Sequence, residues 1–471
     1  MTGRTGDLAV VIMAAGHGKR MRSATPKVLH PVGGRPMLEY VLRAAESLAA
    51  PQVIVVVGHG GDAVADYVGS RALIVRQQPP RGTGDAVRCA LTGLPEFAGT
   101  VVVLSGDTPL VRADTVRRLL ETHRRTDAAV TLAAISLGDP AGYGRLVVGE
   151  GQRVLAVVEE RDATPEQRAI RLVNGGLYAI EAAFLRPALD AVKPDNAQGE
   201  YYLPDVIAVA VERGLTVHGE PIDPEDVLGA NTREELARLE RAMRERIRRR
   251  WMAEGVTLLD PDRIWIDDGV TIGPDTTIAP GAWLEGETMV GSSGRIGSAS
   301  HLINSRLGDR VVVKDGCVIE GAVIEDGASV GPFAHLRPGT VLRKDARVGN
   351  FVELKNTELG VAAKANHLSY LGDATIGRKV NVGAGTITCN YDGEKKSHTV
   401  IEDDVFIGSD SQLVAPVVIG KGAIVAAGTT VTQDVPPDSL VIGRVRQTVK
   451  KGWTRKRSSS KKPKNKKKGA S

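Results

Sequence analysis

The chain has 471 residues, too many for one ordinary core, and so points to two or three domains. Hydrophobic residues at 42% and charged residues at 25% describe a soluble globular protein, and no run approaches the roughly 18 apolar residues of a membrane span. The net charge of +5 is local, because 11 Lys or Arg and no acid fall between Lys450 and Ser471, leaving the rest of the chain at −6 and confining any nucleic-acid reading to that tail.

The opening MTGRTGD lacks the apolar core of a signal peptide. Cys89, Cys317 and Cys389 have no paired spacing, which argues against a disulfide framework and a cysteine zinc site. A reducing cytoplasm is the expected compartment.

From Leu8 to about Gly229, short β-branched runs alternate with helical stretches. Ala9–Ala14 reads as an apolar strand, Met37–Ala50 has helical spacing, and Gln52–Val57 is a second strand. Arg71–Val75, Val101–Leu104 and Ala128–Ala134 add further strands. Apolar strands alternating with helices predict an α/β domain with a Rossmann-like, doubly wound parallel sheet over residues 1–230. Ligands in such folds sit at the carboxyl ends of the strands.

The candidate motifs of this half fall at those ends. Ala14-Ala15-Gly16-His17-Gly18-Lys19-Arg20-Met21 follows the first strand, and Pro26-Lys27 comes soon after. Its glycines let backbone N–H groups approach a phosphate chain, and Lys27 supplies a cation, although the string is neither a Walker A loop nor a full dinucleotide fingerprint. Gln77 precedes a second small-residue loop, Gly82-Thr83-Gly84, and Ser105-Gly106-Asp107-Thr108-Pro109 puts Asp107 at a strand end, where it suits Mg²⁺ shared with phosphate oxygens.

This arrangement resembles the sugar-1-phosphate nucleotidyltransferases over essentially the full domain, on the string from Ala14 to Lys27, on Asp107 and on Gly-Ala-Asn231. The resemblance implies Asp107 and Asn231 as the metal ligands. It implies Ala14, Ala15, Gly16, Lys27, Gln77, Gly82, Thr83, Ser105 and Gly106 as uridine and phosphate contacts. Gly144, Glu159 and Asn174 match positions that hold the N-acetylglucosamine moiety. The implied reaction is attack of a sugar-1-phosphate on the α-phosphorus of UTP, with charge neutralised by Mg²⁺, Arg20 and Lys27. Lys19 and Asp85 stand where that family usually has Thr and His.

Asn231 to about Met252 reads as a connecting helix: a polar cap, good helix formers and arginines toward the C-terminal end. A solvated charged face is sufficient to explain those arginines.

From about Val256 the apolar period becomes six. It runs through Ile272, Ile278, Leu284, Val290, Ile296 and Leu302, and resumes after a phase break at Val312, Val318, Ile324, Val330, Leu336, Leu342, Val348 and Leu354. A third run occupies Ile401, Ile407, Leu413, Ile419, Val425 and Val431. A helix needs 3.6 and a plain strand 2; six suits a triangular parallel β-helix over residues 253–449. Its left-handed sense is taken from resemblance to the hexapeptide-repeat acyltransferases, which also implies a homotrimer with sites between neighbouring prisms. Residues 450–471, rich in Lys, Ser and Pro, read as a disordered basic tail.

Between Leu354 and Ile401 the repeat loosens and polar residues gather, so a functional loop is expected there. His367 is of the residue type that serves as general base near neutral pH. Asn366-His367-Leu368-Ser369-Tyr370-Leu371-Gly372-Asp373, Asn390-Tyr391-Asp392-Gly393, Leu336-Arg337-Pro338-Gly339 and Val352-Glu353-Leu354-Lys355-Asn356 resemble the bifunctional UDP-N-acetylglucosamine pyrophosphorylase/glucosamine-1-phosphate acetyltransferases nearly letter for letter. That resemblance makes His367 the base for the amine of glucosamine-1-phosphate. It assigns Arg337, Lys355 and Lys396 to the sugar phosphate, and Tyr370 and Asn381 to the rest of the acceptor site. Acetyl-CoA is assigned to Ala384, Asn390, Tyr391, Ser409, Ala427 and Arg444. His335 stands where an Arg is common. The partners implied are UTP, acetyl-CoA, glucosamine-1-phosphate and N-acetylglucosamine-1-phosphate, with no specific nucleic acid.

Overall fold

The computed structural model describes residues 8–16, 18–58, 60–150, 153–196 and 198–454; His17 and nearly all of the expected basic tail lie outside the described residues. Two compact units divide the chain: one runs to Thr271 and includes Trp283–Thr288, the other takes Ile272–Ala282 and everything from Met289.

The first unit is built on a nine-stranded sheet whose main path runs Val217–Pro221, Val130–Ser136, Leu172–Glu181, Thr100–Ser105, Leu8–Ala14, Gln52–Val57, Leu73–Arg76. Strand Leu8–Ala14 is buried on both faces, and successive side chains part company as a period of two requires. Val10 and Ile12 pack with Leu38, Val41, Leu119 and Leu120 on one face; Ala9 and Val11 pack with Val87, Leu91, Leu185 and Ile207 on the other. Helices therefore cover both sides, and the doubly wound expectation holds. One strand departs from it. Leu172–Glu181 runs antiparallel to both neighbours, a direction that apolar patterning does not encode. The ribbon Arg145–Val148 and Val154–Val158 adds to its edge. Arg71 belongs to a 3-10 turn rather than to the strand that follows it.

Arg233–Ala253 forms the long helix. Thr232 caps it by accepting from the Glu235 N–H at 3.1 Å. Leu239, Met243, Ile247 and Trp251, four apart, make its buried stripe. Several arginines are not merely solvated: Arg244 stacks on the Trp265 ring 3.0 Å from its centroid, Arg246 donates to the Leu110 carbonyl, and buried Arg248 pairs with Glu245 and Asp262.

The second unit is a parallel β-helix. Thr277 pairs with Arg295, Arg295 with Val312, Val312 with Ser329 and Ser329 with Arg347, so each coil advances seventeen or eighteen residues. That is three edges of six with an occasional edge of five. The short edges correct the expected register. Val312 and Val318 are half-exposed, and Val313 and Ile319 point inward instead. The slip arises between Leu302 and Leu307, both buried and five apart, where Asn304 turns the chain with φ 46°; one residue fewer transfers every later side chain to the other face until the next short edge.

Through 354–401 the coil continues, and the expected loop is confined to one short hairpin within it. Leu359, Ala365, Leu371, Ile376, Val382 and Thr388 keep the inward positions. Thr388 is polar yet satisfied: its hydroxyl accepts from the Gly372 N–H at 2.7 Å and donates to the Gly372 carbonyl at 2.9 Å. Only the coil from Asn381 to its partner Phe406 is long, and the surplus forms a small hairpin in which Tyr391 bridges to Lys396.

Candidate active sites

In the first unit the carboxyl ends of Leu8–Ala14 and Thr100–Ser105 open into a cavity of about 320 Å³. Ala14, Ala15, Gly16, Lys27, Gln77, Gly82, Thr83, Ser105 and Asp107 line it. The loop at Gly82 is held open by backbone, with the Gly84 N–H on the Tyr201 carbonyl and the Tyr201 N–H on the Arg81 carbonyl, both at 2.8 Å. Gly82 has φ +110°, and a Cβ there would lie 2.5 Å from the Tyr201 carbonyl oxygen, so glycine is required. The Gln77 amide donates to the Gly82 carbonyl at 3.0 Å and to Asp85 at 2.9 Å, which gives the unexpected Asp85 a structural task.

Lys27 donates to Asp107 and, at 2.9 Å, to Asn231. Burial by itself would raise Asp107, but the Lys27 ammonium and the Ser105 hydroxyl, 2.6 Å away, hold it below the usual carboxylate range. Asn231 is fixed from behind by its N–H on Glu235 at 2.6 Å. Gly106 donates its N–H to Met13, locking the two strand ends together. Gly144, Glu159 and Asn174 form a second group. The Asn174 N–H reaches the Gly144 carbonyl at 2.8 Å, and a Cβ on Gly144 would lie 3.0 Å from the Glu159 carboxylate. Burial, with Asp205 and Asp162 nearby, raises Glu159; burial and Asp162 push Asp205 up to about 6. Arg20 stands exposed on the 3-10 turn Lys19–Met21, outside the cavity lining.

In the second unit His367 ends the strand Lys364–His367 and is exposed; its Nδ1 lies 2.7 Å from the Asn350 amide oxygen in the preceding coil. The cations form a group of their own. Lys355 is adjacent to Lys396, whose ammonium, with Arg337 nearby, pulls Lys355 below its ordinary range. Asp373 is the counter-charge: burial would raise it, yet Asn356 at 2.8 Å and Asn390 at 2.5 Å, with both lysines, keep it low. Arg337 rests on Glu353 at 3.0 Å. The Tyr370 hydroxyl is packed against Gly372, where a Cβ would be 2.5 Å from it.

Ala384, Ser409, Ala427 and Arg444 stack in successive coils. The Asp410 N–H donates to the Ala384 carbonyl at 2.7 Å, the Gly428 N–H to Ser409 at 2.8 Å, and the Arg444 guanidinium to Ala427 at 2.7 Å. Tyr391 is exposed on the inserted hairpin, its hydroxyl on the Gly393 carbonyl at 2.5 Å. Asn381 is set apart, pairing with Lys364 and lining a depression with Arg347 and Lys379.

Residues 10–257 match the MobA-like NTP transferase domain, residues 266–365 the GMPPB C-terminal domain, and residues 398–433 the bacterial transferase hexapeptide with six repeats. The chain is 47% identical over 450 residues to the bifunctional protein GlmU of Pelobacter propionicus, covering 95% of this chain and 98% of that one. The GlmU proteins of Geobacter metallireducens and Heliobacterium modesticaldum are each 47% identical, over 95% and 94% of this chain and 98% and 97% of theirs. The chain belongs to the GlmU family. It is a bifunctional enzyme of UDP-N-acetylglucosamine synthesis, a nucleotidyltransferase in its first half and an acetyltransferase in its second.

For a GlmU chain, sequence reasoning alone passes over several residues that the fold brings in. Glu200 and Pro80 line the cavity at the strand ends; Glu200 arrives only through the backbone clip at Tyr201 and leaves no signal in the sequence. Asn350 does leave one, since it stands one coil of seventeen residues before His367. No cluster of three or more metal-binding side chains occurs among the described residues, and no helix there is long and apolar enough to cross a membrane.

Proposed function

We propose that the second unit acetylates glucosamine-1-phosphate and that the first then transfers uridylyl from UTP to the N-acetylglucosamine-1-phosphate so formed. The observation that carries the nucleotidyl half is the meeting of Asp107, Lys27 and Asn231 at a strand-end cavity walled by two glycine loops. A phosphate oxygen of the sugar phosphate attacks the α-phosphorus of UTP, the bond to the β-phosphate oxygen breaks, and pyrophosphate leaves. The nucleophile is already anionic, so the protein positions the reactants and balances charge rather than moving a proton. Gly16 and Gly82 admit the phosphates to backbone N–H groups, and Gly144, Glu159 and Asn174 hold the sugar.

Mg²⁺ fits this site, because the hard oxygens of Asp107 and Asn231 already converge on one cation, the Lys27 ammonium. When bound, it would neutralise charge on the reacting phosphate. Asp107 and Asn231 would be its protein donors, with phosphate oxygens and water as the other ligands.

In the second unit the acceptor phosphate meets Arg337, Lys355 and Lys396. The His367 Nε2 takes a proton from the amine as nitrogen bonds to the thioester carbonyl carbon; as the carbon–sulfur bond breaks, the imidazolium returns that proton to sulfur and CoA leaves as the thiol. His367 ends a strand of one ladder, and the Ala384, Ser409, Ala427 column follows the ends of others in it; Asn381 begins a strand of that same ladder, and Lys355 stands on the other ladder. A second copy alongside completes the site, which supports a homotrimer. Three free thiols are in keeping with a reducing cytoplasm.

Mass spectrometry tests the proposal with acetyl-labelled acetyl-CoA, glucosamine-1-phosphate, UTP and Mg²⁺. Labelled UDP-N-acetylglucosamine is the expected product. A UDP-sugar formed only from preformed N-acetylglucosamine-1-phosphate would overturn the acetyl half.

A further inference from the structure

We propose that in the nucleotide-free enzyme Lys27 is a resident counter-cation seated between Asp107 and Asn231, so that a divalent metal gains that seat only as nucleotide phosphate draws Lys27 away. The inference rests on the uridylyl-transfer reading and adds an order of events to it. Lys27 spans both oxygens at once, and the two partners are held independently of it. The Asp107 carboxylate accepts from the Ser105 hydroxyl at 2.6 Å, and the Asn231 backbone N–H donates to Glu235 at 2.6 Å. When the ammonium leaves, the Asp107 carboxylate therefore keeps its aim, and the Asn231 side chain stays on an anchored backbone.

The lysine is built to leave. Its stem is fixed where it passes Gly18, since a Cβ there would lie 2.9 Å from the Lys27 Cβ, and the neighbouring Val28 is buried. Beyond that anchor three methylenes let the ammonium swing further into the cavity, where it is the one basic side chain among the described lining residues.

The energetics bind the two events together. Lys27 and Asp107 are covered, with side chains 12% and 14% exposed. Metal arriving alone must expel an ammonium from its carboxylate and leave that charge without an anion in a covered site, which is unfavourable. A nucleotide phosphate supplies the missing anion, and Asp107 receives the metal in exchange. Metal and nucleotide are thus coupled through one side chain, and the coupling is reciprocal.

Mn²⁺ titrations of the full chain, with free aquo-Mn²⁺ read by electron paramagnetic resonance and no nucleotide present, test this. Wild type, Lys27→Met, Lys27→Gln and the double variant Lys27→Met with Asp107→Asn are compared, each checked for fold by circular dichroism. The expected result is that both single variants bind Mn²⁺ about tenfold or more tightly than wild type, within the usual range of such couplings. The gain should disappear in the double variant. Equal binding by wild type and both single variants would overturn the inference and leave the uridylyl reading intact. A gain that survives Asp107→Asn would place the metal elsewhere and overturn both.

Discussion

Asn350→Ala isolates what orientation contributes to the acetyl-transfer base. The Asn350 amide oxygen lies 2.7 Å from Nδ1 of His367, one coil away, and accepts its N–H. That bond selects the tautomer with Nε2 unprotonated and stops an exposed ring from rotating. A neutral hydrogen bond of this kind is worth about 0.5–1.5 kcal/mol net, and each 1.36 kcal/mol is tenfold in rate, so kcat for acetyl transfer should fall about two- to tenfold. Deleting the base itself, in His367→Ala, should cost roughly 10²–10⁴-fold. Thiol release from acetyl-CoA, followed with a chromogenic disulfide, measures both. KM for acetyl-CoA should stay at the wild-type value in Asn350→Ala, and uridylyl transfer should not change. A loss in Asn350→Ala as deep as that of His367→Ala, or no loss at all, would refute the reasoning.

Three further outcomes follow from the same geometry. Ile319→Ala should destabilise the β-helix by about 2–5 kcal/mol and Val318→Ala by under about 1 kcal/mol, as read by denaturant unfolding; equal effects would contradict the register. Gly82→Ala puts a Cβ 2.5 Å from the Tyr201 carbonyl at φ +110°, so kcat/KM for UTP should drop by roughly tenfold or more while acetyl transfer holds. Asp205, pushed up to about 6, resists ionisation when folded, so stability is lost as pH rises from about 4 to 6 and stays lost above it. Asp205→Asn should therefore be more stable than wild type by roughly 1 kcal/mol above pH 6, after allowance for solvent screening, and no more stable below about pH 4, as thermal melts at the two pH values would show.

Much of this architecture is legible in the residues. An unbroken apolar run such as Leu8–Ala14 can only be a strand covered on both faces, and hexads sustained from Ile272 to Val431 leave few alternatives to a coil. The glycines at 16 and 82 mark two strand-end loops in the sequence, and the structure does bring them to one cavity. What escapes has physical reasons. Strand direction leaves no trace in Leu172–Glu181, because a doubly covered strand looks the same either way up. Val311-Val312-Val313 satisfies more than one register, so the five-residue edge before it is invisible to periodicity. Inward positions filled by Ala365 and Thr388 disguise a continuous coil as a loop. The partnerships of Asn350 and Glu200 depend on coil pitch and a backbone clip, which no local pattern states.

The central claim is that one chain carries two separate active sites that hand over a released intermediate. Mixing two crippled proteins tests it most directly. His367→Ala and Asp107→Asn are each supplied with glucosamine-1-phosphate, acetyl-CoA, UTP and Mg²⁺, alone and together, and UDP-N-acetylglucosamine is measured by mass spectrometry. Neither variant should make it alone, and the mixture should, because the Asp107 variant releases N-acetylglucosamine-1-phosphate that the His367 variant consumes. Product from either variant alone at the wild-type rate, or none from the mixture, would contradict the account.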